Sequence, residues 1–125
     1  MKIALVSLPV NSPIEAHKFY TGVLGFVTRT FMPEANLAIV ASPEEPDGTG
    51  LLLEPNDNPI AKQFQSGVCD AGMPIIVFGV HDINREYERL SGMGVAFTQT
   101  PTETDYGTLA VFDDTCGNLI QLHQV

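Results

Sequence analysis

Apolar and polar positions follow the same succession of patterns twice along this chain. Residues 3–10 are apolar, rich in branched side chains and bounded by Asn11, which predicts a strand. Ser12 then suits a helix N-cap, with Pro13 at the first helical position and Glu15 at the third, the spacing of a capping box. Ile14, Ala16, Phe19, Tyr20, Val23 and Leu24 recur at helical spacing until Gly25 ends the run. Residues 26–31 and 36–41 read as two strands joined near Pro33-Glu34. A polar turn, SPEEPDGTG, leads into a further strand over 51–54.

A connection of about 18 residues follows, PNDNPIAKQFQSGVCDAG, with one short helix expected around 60–65. Connections of that length are usually functional or join repeated units. The pattern then restarts. Residues 73–80 form an apolar strand, Asp82 is a plausible N-cap, and Ile83, Tyr87 and Leu90 mark a helix that stops at Gly92 or Gly94. Strands are expected at 95–98, 108–112 and 119–125, the last two joined by the turn DDTCGN. Val10, Ser12 and Gly22 map onto Val80, Asp82 and Gly92, each 70 positions on. The predicted architecture is α+β: two tandem βαβββ modules, one over about 1–56 and one over about 72–125, with a connector at 57–71. Phe19 and Tyr87 are expected in the helix-facing core.

Length and composition agree with one such pair. The 125 residues, 44% apolar, suit a single domain and are too few for a (β/α)₈ barrel. With 6 Lys+Arg against 15 Asp+Glu the net charge is -9, which argues against nucleic acid and against an anionic membrane surface. No apolar run reaches the ~20 residues of a membrane span, and the first residues read as a strand, not as a signal peptide. Cys69 and Cys116 lack CxxC spacing and are expected to be reduced thiols of a cytoplasmic protein.

Three segments carry a resemblance to a known family. "AHKFYTGVLGFVTRT" looks like the FYxxxLGF signature of the glyoxalase, bleomycin-resistance and extradiol-dioxygenase superfamily, also called vicinal oxygen chelate proteins. "VHDINREYERLSGMGVAF" supports it, and "FDDTCGNLIQLHQ" is similar to the family's DPDGN turn, with Thr115 and Cys116 in place of its Pro and second Asp. The resemblance covers essentially the whole chain. It implies paired modules forming a curved, cup-like mixed sheet around a divalent metal, often within a homodimer. The implied ligand positions fall on Leu5, Glu54, Ile75 and Gln121.

Leu5 and Ile75 have no donor atom, and one carboxylate with one amide is too few for a metal that needs three or more protein ligands. No cofactor is therefore expected, a divalent metal being disfavoured. Strand alternation places Ser7 with Leu5, Val77 with Ile75, Leu52 with Glu54, and Leu119 and His123 with Gln121. The cup is then aliphatic with a few polar groups, the ordinary composition of a small-molecule site. The opposite faces, Ala4, Val6 and Leu8 in one module and Ile76, Phe78 and Val80 in the other, should pack under the helices.

Glu54, a carboxylate among leucines and isoleucine, would be desolvated and suited to general acid–base work; the bland alternative is a solvated strand end or a pair with an arginine. His123 reads either as a frayed surface residue or as a hydrogen-bonding pocket residue beside Gln121. His17 and His81 read as solvated surface residues, and Arg29 as a cross-strand partner or an anchor for an anionic substrate. Three functions stay open. The first is a non-catalytic binder of an apolar or cationic small molecule, resembling the bleomycin-resistance branch. The second is a metal-independent isomerase or lyase with Glu54 as base, and the third a metal-dependent lyase or dioxygenase.

Overall fold

The two modules form in the predicted order, each from local signals that its own sequence carries. In the computed structural model, which describes residues 1–125, the first module runs β1 (Leu5–Val10), α1 (Pro13–Gly22), β2 (Val27–Met32), a 3-10 turn at Pro33–Ala35, β3 (Leu37–Ala41) and β4 (Gly50–Pro55). A connecting helix, α2 (Pro59–Asp70), precedes β5 (Ile76–Val80), α3 (Ile83–Gly92), β6 (Phe97–Thr104), β7 (Gly107–Asp113) and β8 (Leu119–Gln124). The chain divides into two compact units, Met1–Gln63 and Phe64–Val125. No helix is long and apolar enough to cross a membrane.

Each unit holds one mixed four-stranded sheet, in the order β1-β4-β3-β2 and β5-β8-β7-β6 respectively. The first strand of each module lies parallel to its last, β1 on β4 and β5 on β8, and the remaining pairs are antiparallel. The parallel pair needs a crossover, and α1 or α3 supplies it. Ser12 Oγ accepts the Glu15 N–H at 3.3 Å to start α1, and Asp82 Oδ1 accepts the Arg85 N–H at 3.1 Å to start α3. The capping box predicted at Ser12 is only half built, because the Glu15 carboxylate turns to Lys18 Nζ at 3.3 Å instead. α3 has a second cap, the side chain of Gln124 on β8 accepting the Ile83 N–H at 3.0 Å.

The cores follow the predicted parity. α1 lies on β3 and β4, burying Ala16 and Tyr20 against Ala38, Val40, Leu51 and Leu53. α3 lies on β6, β7 and β8, where Ile83 and Leu90 are buried with Ala110, Phe112, Ile120 and Leu122. Each fully buried large side chain contributes about 1.5–3 kcal/mol by removal from water. The helix-facing sides of β1 and β5 are covered less completely than expected. Leu8 and Val10 are buried, but Ala4 and Val6 are exposed, and Ile76, Phe78 and Val80 are half-buried, because the helices sit over the sheets' other strands. Phe19 and Tyr87 are likewise half-buried, and the fully enclosed aromatics are Tyr20 and Phe112.

Three predicted elements differ in extent. The connector helix, expected around 60–65, reaches Asp70 through Gly67; Asn58 starts it by accepting the Ile60 N–H at 2.9 Å, and a helical Gly costs only about 1 kcal/mol. β6 extends to Thr104, twice as far as its apolar part, because pairing with β7 satisfies its backbone where the side chains are polar. β5 begins at Ile76, leaving Ile75 just outside the strand with its N–H still bonded to Leu119 O at 2.9 Å.

Candidate functional site

Alternation along the strands gives each sheet one face under its helix and one open face, and the open faces hold the candidate residues. In the first unit Leu8, Val10, Leu51 and Leu53 go under α1, so Leu5, Ser7, Leu52 and Glu54 go to the other side. The parallel register sets Leu5 beside Gly50, Ser7 beside Leu52 and Pro9 beside Glu54, and Ile39 follows next to Leu52 on β3. Leu5 is 48% exposed and Val27 and Met32 are exposed as well, so aliphatic surface faces outward here.

The second unit repeats the arrangement. Ala110, Phe112, Ile120 and Leu122 are buried under α3, and the alternate positions Ile75, Val77, Leu119, Gln121 and His123 lie on the other face. Register pairs Val77 with Gln121, Gln121 with Val111, and His123 with Leu109. This face is open only in part: Val77 is 52% exposed, Gln121 and His123 are half-buried, and Leu119 and Val111 are buried. The His123 ring leans over the start of β7, where a Cβ on Gly107 would come 3.1 Å from its Cε1. It is neither frayed nor freely solvated.

Three expectations about single residues change. Glu54 is exposed at the end of β4, so water reaches its carboxylate and the desolvation argued for it does not occur within one chain; it pairs with no arginine either. His17 is half-buried, not a solvated surface residue. Its Nε2 lies 2.8 Å from Thr28 Oγ1, and its ring stacks on Phe31 with centroids 3.9 Å apart, fastening α1 to β2. His81 is exposed. Arg29 has no cross-strand partner: the β2–β3 register passes from Thr28–Val40 to Thr30–Ile39, leaving it on a bulge. Its Nη2 donates to Pro46 O at 2.7 Å and Gly48 O at 2.6 Å instead.

The implied metal-ligand positions do not form a donor set. Leu5 and Ile75 offer no lone pair, and no group of three or more His, Cys, Asp or Glu side chains could hold a metal ion. Both cysteines are free thiols; burial and then the charge of Asp113 push the Cys69 thiol up from its ordinary range.

One polar cluster was not foreseen from the sequence. Asp114, fully buried, accepts the N–H groups of Cys116 at 2.7 Å and Asn118 at 3.0 Å on Oδ1, and Asn118 Nδ2 at 3.0 Å on Oδ2. Gln65, buried on α2, donates to Cys116 O and Asn118 Oδ1 at 3.2 Å each. The cluster fixes the turn that launches β8, and so the placement of Gln121 and His123. Acidic turns are common, and only the contact with a helix 51 residues away separates this one from an exposed turn.

Comparison with known proteins follows the same architecture. The family model described as "Glyoxalase/Bleomycin resistance protein/Dioxygenase superfamily" matches residues 2–122. The chain is 47% identical over 126 residues to the uncharacterized protein YurT of Bacillus subtilis (strain 168), covering 99% of each. It is 35% identical to an uncharacterized protein of Shewanella frigidimarina (strain NCIMB 400), covering 98% of this chain and 93% of that one. Among solved structures, UcmS2 superposes with a TM-score of 0.83 at 29% identity, over 100% of this chain and 98% of that one. TnmS3, an antibiotic binding protein from Streptomyces sp. CB03234, superposes with a TM-score of 0.78 at 26% identity, over 99% and 95%.

Proposed function

The chain belongs to the glyoxalase/bleomycin resistance protein/dioxygenase superfamily, and from that premise we propose that it binds an apolar small molecule on its open sheet faces without the family metal and without transforming it. The observation that carries this reading is the chemistry of those faces. Leu5, Leu52, Ile75 and Val77 are aliphatic, and two of them stand where metal ligands are implied. Each face also carries a few polar groups of the kind that orient a ligand, Ser7 and Glu54 in the first unit and Gln121 and His123 in the second. The likeness to an antibiotic binding protein supports the same class of ligand.

Exposed aliphatic side chains on an open sheet face favour a cover, and a second copy of the chain provides one. We propose a homodimer on that ground, which sedimentation at micromolar concentration tests; a stable monomer contradicts it. Function is tested by thermal shift against a panel of apolar antibiotics, followed by mass spectrometry of the recovered compound. At a hundredfold excess over Kd, binding to the native state alone adds about 2.7 kcal/mol, an increase of roughly 10 °C in Tm. Stabilisation with the compound recovered intact supports a binder. Conversion that is lost in Glu54→Gln would support the enzyme reading instead.

A further inference from the structure

The bulge on β2 gives the first unit a cationic group at the Leu5–Gly50 end of its open face, away from Glu54 at the far end of β4. Bulges re-aim side chains, and this one frees Arg29 from the β2–β3 register. The guanidinium then reaches across the open face to β4. A Cβ on Gly50 would lie 2.9 Å from Arg29 Nη1, 2.7 Å from Leu5 Cδ2 and 3.1 Å from Ile39 Cγ2, so the absence of a side chain there is what admits the cation. Gly48 and Pro46 hold Nη2 by their carbonyls, which fixes the group in place while neutralising none of its charge. No carboxylate ion-pairs with it, and its Nη1 and Nε protons stay available. Arg29 is itself exposed, and it lines an open surface groove with Lys2, Ile3, Ala4, Glu45, Asp47 and Thr49, all of them exposed.

We propose that Arg29 is a ligand anchor where this groove meets the open sheet face at Gly50, taking the single negative group of a ligand whose apolar body lies on the neighbouring Leu5, Leu52 and Ile39. The proposal rests on the binding reading above and narrows it to a monoanionic, otherwise apolar small molecule, one bearing a carboxylate or sulfonate. Glu45 and Asp47 share the groove, and the chain carries a net charge of -9, so a phosphate dianion is disfavoured. A guanidinium already held by two carbonyls loses little freedom on meeting an anion, unlike the flexible ammonium of Lys2.

The test uses two fluorescent probes that share a ring system. 8-Anilinonaphthalene-1-sulfonate carries one negative charge and N-phenyl-1-naphthylamine carries none. The native protein should bind the sulfonate about tenfold more tightly, and raising NaCl should erode that preference. Arg29→Gln should abolish the preference while leaving the neutral probe's affinity unchanged, and Lys2→Gln should alter it less than threefold. Equal affinities in the native protein overturn the proposal. So does a preference that survives Arg29→Gln, depends on Lys2, or vanishes only because both affinities fall together. The salt series needs no variant and decides the case if Arg29→Gln does not fold. Neutral-probe binding without a sulfonate preference overturns this inference alone, whereas failure of both probes overturns the binding reading with it.

Discussion

Replacing Asp114 by Ala asks whether a buried carboxylate holds the β7–β8 turn. Alanine removes three acceptor contacts at once, to Cys116 N at 2.7 Å, Asn118 N at 3.0 Å and Asn118 Nδ2 at 3.0 Å. It removes the acceptor those three donors share in a turn where Asp114, Cys116 and Asn118 are all buried. A hydrogen bond to a charged group contributes about 1.5–3 kcal/mol, and a stranded buried donor costs about 1–3 kcal/mol. The three contacts share one carboxylate and do not add, and water can enter the vacated space, so the expected loss is about 3–5 kcal/mol. Unfolding entropy near 2.1 cal/mol/K per residue converts that into a Tm drop of roughly 10–20 °C for a chain of this length. Calorimetry reads the drop, and urea titration with an unchanged m-value assigns it to stability. Asp114→Asn keeps one acceptor oxygen and should lose about half as much. A loss under 1 kcal/mol for Asp114→Ala would refute the reasoning and leave the turn to its backbone conformation.

Three smaller predictions concern neighbouring features. Thr115 is β-branched yet has a φ of 61°, so Thr115→Asn should stabilise by about 0.5–1 kcal/mol in a urea titration; destabilisation would mean the threonine makes an unrecognised contact. Gly50→Ala places a Cβ 2.7 Å from Leu5 Cδ2 and should cost about 1–3 kcal/mol by overpacking, read as a lowered urea midpoint; an unchanged midpoint would show that Leu5 and Arg29 move aside freely. The Cys69 thiol is pushed up, so less of it is thiolate at a given pH. Alkylation by iodoacetamide at pH 8 should therefore run slower than for a free cysteine and accelerate only at higher pH, while an equal or faster rate contradicts this.

What the sequence made legible was whatever depends on near neighbours. Ser12 and Asp82 cap their helices because a cap needs only the next three residues, and strand parity placed Leu5, Ser7, Leu52, Val77, Gln121 and His123 on the faces expected. Parity does not say what covers a face, which is why it left Glu54 either desolvated among leucines or solvated at a strand end, and the exposed strand end is what the structure holds. The Arg29 bulge depends on the register between two strands, and no single strand's pattern encodes it. The Asp114 cluster depends on Gln65 arriving from a helix read as ending where it continues. His17 looked like a solvated helix residue because its partners, Thr28 and Phe31, sit on the edge strand beyond the helix exit.

The proposed function requires that the protein bind an apolar small molecule with its own aliphatic faces, without a metal and without changing the compound. Isothermal titration of an antibiotic that raises Tm, run with and without EDTA and followed by mass spectrometry of the recovered compound, tests this directly. Metal-independent binding without turnover gives the same affinity in both titrations and a compound of unaltered mass. Affinity lost to the chelator, or a compound returned with a changed mass, would contradict it.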